Sequence, residues 1–472
     1  MLRSVLLLVS GNAFTGVLTL VRNLLVARLI GVEDYGIAAT FTIAMSAVEM
    51  LSAFGLQQQI VQAKDGDDPR LQAGLQCFQA IRGLISATVL FLSAHLIARF
   101  LGIGHVGWAF QVLALIPLLN GFIHFDVYRL NRSFRYLPGI LATTVPAALS
   151  TALVWPLWLA MPDYRVMLYA VLIQVVCTIL TSHLVAERKY KLLFDTAIIK
   201  QGMRFGWPIL LDSLLLLAVF HGEKLIVGRE LGMSALAIFA MGVTLTLTPT
   251  VLMDKSVQSF FLPQLSATQD DPARFAPLAM SAFQICLGVG TFLVVAILFV
   301  GAPFIHLVLG AKYAPLNTIL IWLAILQALR IFKGGPATVS LSRRQTENAM
   351  IANIVRVAAL PLAWWVAHQT GDMMLVIFIG LGGEVVGVAV AFYLARLRLR
   401  LPLRPMLWPI TFSILVLLVA GLHAWMQNHP DHRAIPPAGT ISLAVVFFGL
   451  SIVTMRDLRH YIAARTMVRH SE

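Results

Sequence analysis

Charged residues are scarce in this chain. Asp, Glu, Lys and Arg make up 12% of its 472 residues, where a soluble globular chain carries about 25%. That shortage excludes an ordinary soluble domain, which needs a charged surface to stay in water. Cysteine is scarcer still: Cys77, Cys177 and Cys286 are the only three, each inside an apolar run. They spell neither a disulfide framework nor a metal cluster. No Gly-rich phosphate loop or nucleophile motif stands at a plausible site. His95, His124, His183, His221 and His306 are scattered and suggest no grouping. Long hydrophilic stretches are missing too, so no loop has room for a soluble catalytic domain. These absences lead us to expect no catalytic residue, no metal and no cofactor. Only Met1–Arg3 precede the first apolar run, and no small-residue cleavage site follows it, so that run is expected to remain as a helix.

What is there is hydrophobic: 59% of the residues. They fall into fourteen runs, approximately 5–29, 36–60, 74–98, 107–127, 138–160, 165–186, 206–228, 235–260, 276–300, 313–331, 346–368, 373–395, 406–426 and 438–455. A span of the bilayer needs about 20 apolar residues in a helix. The expected fold class is therefore an all-α polytopic membrane protein with about fourteen transmembrane helices.

The net charge of +13 would suit a nucleic-acid binder, but its distribution argues for a topology device and against a nucleic-acid partner. With the N-terminus in the cytoplasm and loops alternating, 23 of the 35 lysines and arginines fall on the cytoplasmic side and 6 on the other. Short loops with that bias obey the positive-inside rule. Both termini are expected in the cytoplasm. The cytoplasmic tally includes Lys333, read as a loop residue just past the tenth run.

A weak internal repeat recurs at an offset of 201 residues. Arg22-Asn-Leu-Leu-Val-Ala-Arg28-Leu-Ile-Gly31 realigns on Glu223-Lys-Leu-Ile-Val-Gly-Arg229-Glu-Leu-Gly232, and Gln57 meets Gln258. Internal repeats of this kind are common in secondary transporters. The expected partition is two six-helix lobes, 1–200 and 201–396, followed by a segment 397–472 holding helices 13 and 14 and a tail.

Charges inside the runs carry the functional signal, because one at the centre of a lone span costs about 2.5–3.5 kcal/mol on insertion scales. Arg22 ends a polar stripe with Asn12, Thr15 and Thr19, spaced as one helical face. Glu49 follows Thr42 and Ser46 on the second run, and Arg82 lies between Gln79 and Ser86 on the third. Those two can form an ion pair. Asp254 and Lys255 follow Pro249, which is expected to kink the eighth run. Arg356 lies near mid-depth of the eleventh, and Glu384 among Gly380, Gly383 and Gly387 of the twelfth. Arg330, near the end of the tenth, is expected to snorkel to the interface. Mid-run cations and acids balance at five each: Arg22, Arg82, Lys224, Lys255 and Arg356 against Glu49, Asp212, Glu223, Asp254 and Glu384. The balance implies a polar pathway and leaves the sign of its cargo open.

The segment Arg22–Gly31 continues as Val-Glu33-Asp-Tyr35-Gly36, and Phe54-Gly55-Leu56-Gln57 follows. Together with the Glu223–Gly232 element, this resembles bacterial oligosaccharide flippases of the multidrug/oligosaccharidyl-lipid/polysaccharide flippase superfamily. The resemblance implies an inner-membrane transporter that flips a polyprenyl-diphosphate-linked oligosaccharide to the outer leaflet by alternating access. Its implied partners are that lipid-linked glycan, membrane lipid and the polysaccharide polymerase machinery. The Arg22–Arg28 element is also similar to the lipid II flippase, whose cavity is lined by arginines of spans one, two and eight. Arg22 matches, Lys255 lies in the corresponding span eight, and span two offers Glu49 and no arginine. The resemblance implies that Arg22, Arg82, Lys255 and Arg356 hold the diphosphate. Glu49, Asp254 and Glu384 are then coupling or ion-pairing acids. A cation-coupled multidrug exporter of the same fold is the alternative. A membrane polymerase or glycosyltransferase is disfavoured by the short outer loop at Gln427–Pro437.

Overall fold

The computed structural model describes residues 2–345, 347–429, 431 and 436–470. Arg433, one of the six charges that the sequence assigns to the outer side, lies outside them. The secondary structure of the described residues is helical. In chain order the α-helices are α1 (Leu2–Leu29), α2 (Val32–Leu51), α3 (Leu56–Gln62), α4 (Pro69–Phe100), α5 (Gly107–Leu113), α6 (Leu115–Asn120) and α7 (Asp126–Arg132). They continue as α8 (Leu137–Ala152), α9 (Val154–Ala160), α10 (Arg165–Leu184), α11 (Thr196–Glu230), α12 (Met233–Ala267), α13 (Pro272–Phe304) and α14 (Leu316–Ser342). The last are α15 (Glu347–Val357), α16 (Leu360–Thr370), α17 (Met373–Leu397), α18 (Leu407–Asn428), α19 (Pro437–Thr454) and α20 (Arg456–His470).

Ten helical stretches among the described residues are long and apolar enough to cross a bilayer, or twelve if two bent pairs each count as one span. The expected fourteen spans are therefore not confirmed in number, ten to twelve passing by length and composition among the described residues. One bent pair is α2 with α3, at 47°. The expected run 107–127 is a shorter apolar stretch, Gly104–Asn120, which ends before α7. Asp126 and its neighbours therefore lie outside the spans. Pro249 does not break α12, which runs on through it; Thr246, Thr248 and Thr250 each bond a carbonyl one turn back at 2.8 Å.

Helix starts are written in aspartates. Asp68 accepts from Arg70 N at 2.9 Å, Asp195 from Ala197 N at 3.0 Å, Asp271 from Ala273 N at 3.0 Å and Asp372 from Met374 N at 2.7 Å. Each satisfies an orphan N–H of the first turn, worth about 1 kcal/mol. Pro69 and Pro272 take the first position of α4 and α13, where a missing N–H costs nothing. At the other end Gly371 closes α16 with a φ of 64°, a conformation that suits glycine. Gly36, the glycine after Tyr35, has a different reason: any Cβ there would run into the Met233 carbonyl, so only glycine lets α2 approach the start of α12.

The chain divides into two compact units, Met1–Ala237 and Ile238–Glu472. In the first, α8 packs on α1 and α10. Phe41 forms an aromatic core with Phe110 at 5.4 Å and Tyr164 at 6.0 Å. In the second, α13 and α14 form the most extensive helix pair, and α17 and α18 pack against α14. Its apolar core runs through Phe275, Phe283, Cys286, Phe332 and Met455.

Candidate functional site

In the first unit the polar stripe of α1 meets polar partners on neighbouring helices. Thr15 Oγ1 lies 2.7 Å from Thr144 Oγ1 of α8, and Thr19 bonds the Thr15 carbonyl at 3.0 Å. Arg22 is buried; its Nη1 donates to Ser150 Oγ at 2.9 Å and also to Gln174 Oε1 on α10. One guanidinium nitrogen thus ties α1 to α8 and α10. Glu223, its counterpart in the repeat, is buried as well.

Arg82 donates from Nη1 to the Ser52 carbonyl at 2.7 Å. Ser52 caps the C-terminus of α2, where orphan carbonyls and the negative helix pole both favour a cation. Glu49 and Arg82 are electrostatic neighbours. Among the described residues, however, the pair does not close to ion-pair distance, because Arg82 is engaged on the helix end. Glu49 itself is exposed to open space.

The second unit holds the densest charge cluster. Glu384 is fully buried and accepts three cations: Arg330 Nε at 2.7 Å and Arg356 Nε at 2.9 Å on Oε1, and Lys333 Nζ at 2.6 Å on Oε2. Arg330 and Lys333 sit three apart on α14 and share a face, Arg356 comes from α15 and Glu384 from α17. Gly383 allows a close approach of α17 to the chain just before α16, since an added Cβ would stand 3.0 Å from Ala359 Cβ; toward Arg356 Cδ and, from Gly387, toward Lys333 Nζ a Cβ would make ordinary contact at 3.4 and 3.6 Å.

Two expectations are corrected here. Lys333 is not a loop residue, since α14 extends to Ser342, well past the expected end at 331. Two cations followed by Gly334-Gly335-Pro336 read as a loop in hydropathy, but Glu384 neutralises charge there and the glycines serve packing. Arg330 does not snorkel; its side chain keeps only 10% of its surface exposed and is held by Glu384.

Asp254 and Lys255, adjacent in sequence, differ in surroundings. Asp254 is half-buried, and its carboxylate fills the space a side chain at Gly334 would need, with Cys286 alongside. Among the described residues it makes no ion pair. Lys255 is exposed and the structure does not bring it into the Glu384 cluster. Of the proposed binding residues, then, only Arg356 shares a cluster with one of the proposed coupling acids, Glu384.

The histidines hold a further correction. His124 and His183 meet ring to ring at 5.1 Å, and Tyr190 stacks beside His183 at 4.9 Å. His124 makes two polar contacts: its backbone N–H donates to Ser182 Oγ at 3.1 Å, and its ring Nδ1 accepts from Asp126 N at 3.1 Å. Asp126, outside the spans and fully buried, accepts from Arg129 Nε at 2.6 Å and from the Glu187 and Arg188 amides at 2.8 and 3.2 Å. Burial pushes its carboxyl up, but those three donors and the Arg129 charge outweigh it and hold the group below the ordinary aspartate value. Sequence spacing hides this knot, because its members lie up to 64 positions apart.

Residues 25–318 match the polysaccharide biosynthesis protein family, more than half of the chain. An uncharacterized membrane protein in the cps region of Klebsiella pneumoniae is 19% identical over 355 residues, covering 72% of this chain and 71% of that protein. Among solved structures, an inward-facing multidrug resistance MATE family transporter of the MOP superfamily superimposes with a TM-score of 0.68 at 17% identity, over 81% of this chain and 94% of its own. The lipid II flippase MurJ in an inward closed conformation gives 0.66 at 14% identity, over 98% of this chain and 100% of its own. The chain therefore belongs to the polysaccharide biosynthesis protein family and is a multi-pass membrane protein with the fold shared by MATE transporters and MurJ.

Proposed function

We propose that the protein flips an anionic polyprenyl-diphosphate-linked oligosaccharide from the cytoplasmic to the outer leaflet of the bacterial inner membrane, by alternating access. The observation that carries this reading is the set of cations held inside apolar helices of a chain from a polysaccharide biosynthesis family. Arg22 and Arg82 stand in the first unit and Arg330, Lys333 and Arg356 in the second. Cations at that depth are costly and mark polar pathways. Arginine binds phosphate oxygens in pairs, which suits a diphosphate.

In this reading Arg22, Arg82, Lys255 and Arg356 contact the diphosphate at different stages of the cycle. Ser150 and Gln174 hold the Arg22 guanidinium in place until an anion competes for it. Glu384 keeps Arg330, Lys333 and Arg356 together as their internal counter-ion. Glu49 and Asp254, which make no ion pair among the described residues, are the better carriers of any coupling proton or sodium. The lobes are taken as 1–200 and 201–396, with 397–472 as an addition and both termini in the cytoplasm. The lipid II flippase is named for a cargo of the same chemical kind, which supports the substrate class.

A cation-coupled drug exporter is the second reading, favoured by the MATE likeness and by the unpaired Asp254 carboxylate. It expects essential acids and dispensable arginines. The deciding experiment depletes the protein and assays which leaflet holds the lipid-linked saccharide. Accumulation on the cytoplasmic side supports the flippase; normal leaflet distribution with raised drug sensitivity supports the exporter.

A further inference from the structure

Between α10 and α11 the chain runs without regular helix from Val185 to Asp195. It nonetheless keeps a fixed course along α4. Gln76 Nε2 donates to the Lys191 carbonyl at 2.7 Å, Leu193 N to the Ala73 carbonyl at 3.2 Å, and Arg188 Nη1 to Gln72 Oε1 at 3.1 Å. A pocket of about 270 Å³ opens there, lined by Gln72, Gln76, Arg188, Lys189 and Lys191 among others. Immediately after it, Leu192, Leu193 and Phe194 turn out at 50%, 38% and 69% exposure.

Non-helical backbone facing lipid does not occur within the hydrocarbon layer, because its N–H and C=O groups would lack partners. The segment lies between the span that ends at Leu184 and the helix that begins at Thr196, which puts it at the headgroup level, and it carries cations and an exposed apolar triplet side by side, the two chemistries of a lipid. Its own acids are already committed: Glu187 pairs with Arg135 at 2.6 Å and Asp195 with Arg70 at 2.7 Å. Among the described residues no acid pairs with Lys189 or Lys191.

We propose that this pocket binds the headgroup of an anionic phospholipid, with Leu192–Phe194 set among its acyl chains. A free phosphate would use the lysines and leave the exposed apolar triplet unexplained; a lipid accounts for both. The proposal does not depend on the cargo proposed above.

The test uses the full-length purified protein in detergent, titrated with phosphatidylglycerol, phosphatidylcholine or inorganic phosphate and read by thermal unfolding and by lipid retention in native mass spectrometry. The wild type is expected to retain phosphatidylglycerol and to gain thermal stability from it, but from neither of the other two. Lys189→Ala with Lys191→Ala should weaken that affinity on the order of twentyfold, since each basic residue near an anionic surface contributes severalfold. Lys189→Arg with Lys191→Arg should keep it. Both lysines are exposed, so the variants are expected to fold, and a melting temperature in pure detergent equal to that of the wild type checks it. Equal retention of phosphatidylcholine, a response to phosphate alone, or undiminished phosphatidylglycerol binding by the alanine pair would each overturn the proposal.

Discussion

Lys333 Nζ lies 2.6 Å from Glu384 Oε2, with both side chains closed off from solvent. One carboxylate there answers for three cations, since Arg330 and Arg356 share its other oxygen. Such an arrangement is weak evidence for net stability, yet it is strongly intolerant of losing one member. Glu384→Gln should therefore be severe, destabilising by about 3–5 kcal/mol and lowering protein level. Adding Lys333→Met to Glu384→Gln should recover part of the loss by removing one uncompensated charge. Thermal unfolding of the purified variants reads this directly. An unaltered melting temperature in Glu384→Gln would mean that the cations are compensated elsewhere and that Glu384 is not their counter-ion.

Glu384, Arg356 and the small residues around them were all visible as unusual positions in the sequence. Their assembly was not, because it depends on Lys333, which looks like a loop residue wherever hydropathy alone decides. A cation buried against an acid on another helix has no local signature. The same holds for Asp126, whose donors come from Arg129 and from amides some sixty positions away. The membrane class, by contrast, is legible, since it is set by composition and the length of the apolar runs. Arg22 stands between these cases: its polar stripe was readable, but its partners Ser150 and Gln174 required the packing of α8 and α10.

The Asp126 knot predicts acid sensitivity. Its folded value lies below that of the unfolded chain, so the stability it contributes is fully present above the unfolded value, about pH 4. That stability is lost as pH falls through the lower folded value. Asp126→Asn should destabilise by about 2 kcal/mol at pH 7, by weakening charge-assisted hydrogen bonds. It should also flatten the decline of melting temperature below pH 4. Parallel profiles for wild type and variant would remove Asp126 as the cause.

The charge bias makes a topological prediction. Reporters fused after Arg135, Arg344 and Arg404 should report cytoplasm, and one after Asp163 the opposite side. The structure removes Lys333 from the loop tally, but the remaining bias is still large. An outside signal after Arg404 would break the assignment of both termini to the cytoplasm.

Residues beyond Arg400 are woven into the second unit. Gln284 of α13 donates to Asp457 Oδ2 and accepts from Leu458 N, each at 2.9 Å, while Gly421 of α18 lets Trp322 approach. Truncation after Arg400 should strip these contacts and lower the melting temperature or change lipid dependence, more than it alters headgroup selectivity. A truncated protein with normal stability and transport would show that α18–α20 are dispensable.

Arg22 offers the sharpest division between the two transport readings. If its guanidinium is handed from Ser150 and Gln174 to an incoming diphosphate, Arg22→Lys should keep partial transport, because charge survives while the two-pronged geometry is lost. Arg22→Glu should abolish transport at normal protein level, since a second negative charge repels the phosphate in a medium of low dielectric. Arg22→Ala should also be poor, leaving the phosphate without its partner. A structural role alone makes a different pattern. Ser150→Ala and Gln174→Leu would then reproduce the Arg22→Ala loss of stability, and all variants would track protein level on a blot. In the flippase reading those two partner variants keep transport, because the anion, not Ser150 or Gln174, is the ligand that matters during the cycle. A fully active, normally expressed Arg22→Glu protein would exclude Arg22 from the anion site and turn the balance toward the drug exporter.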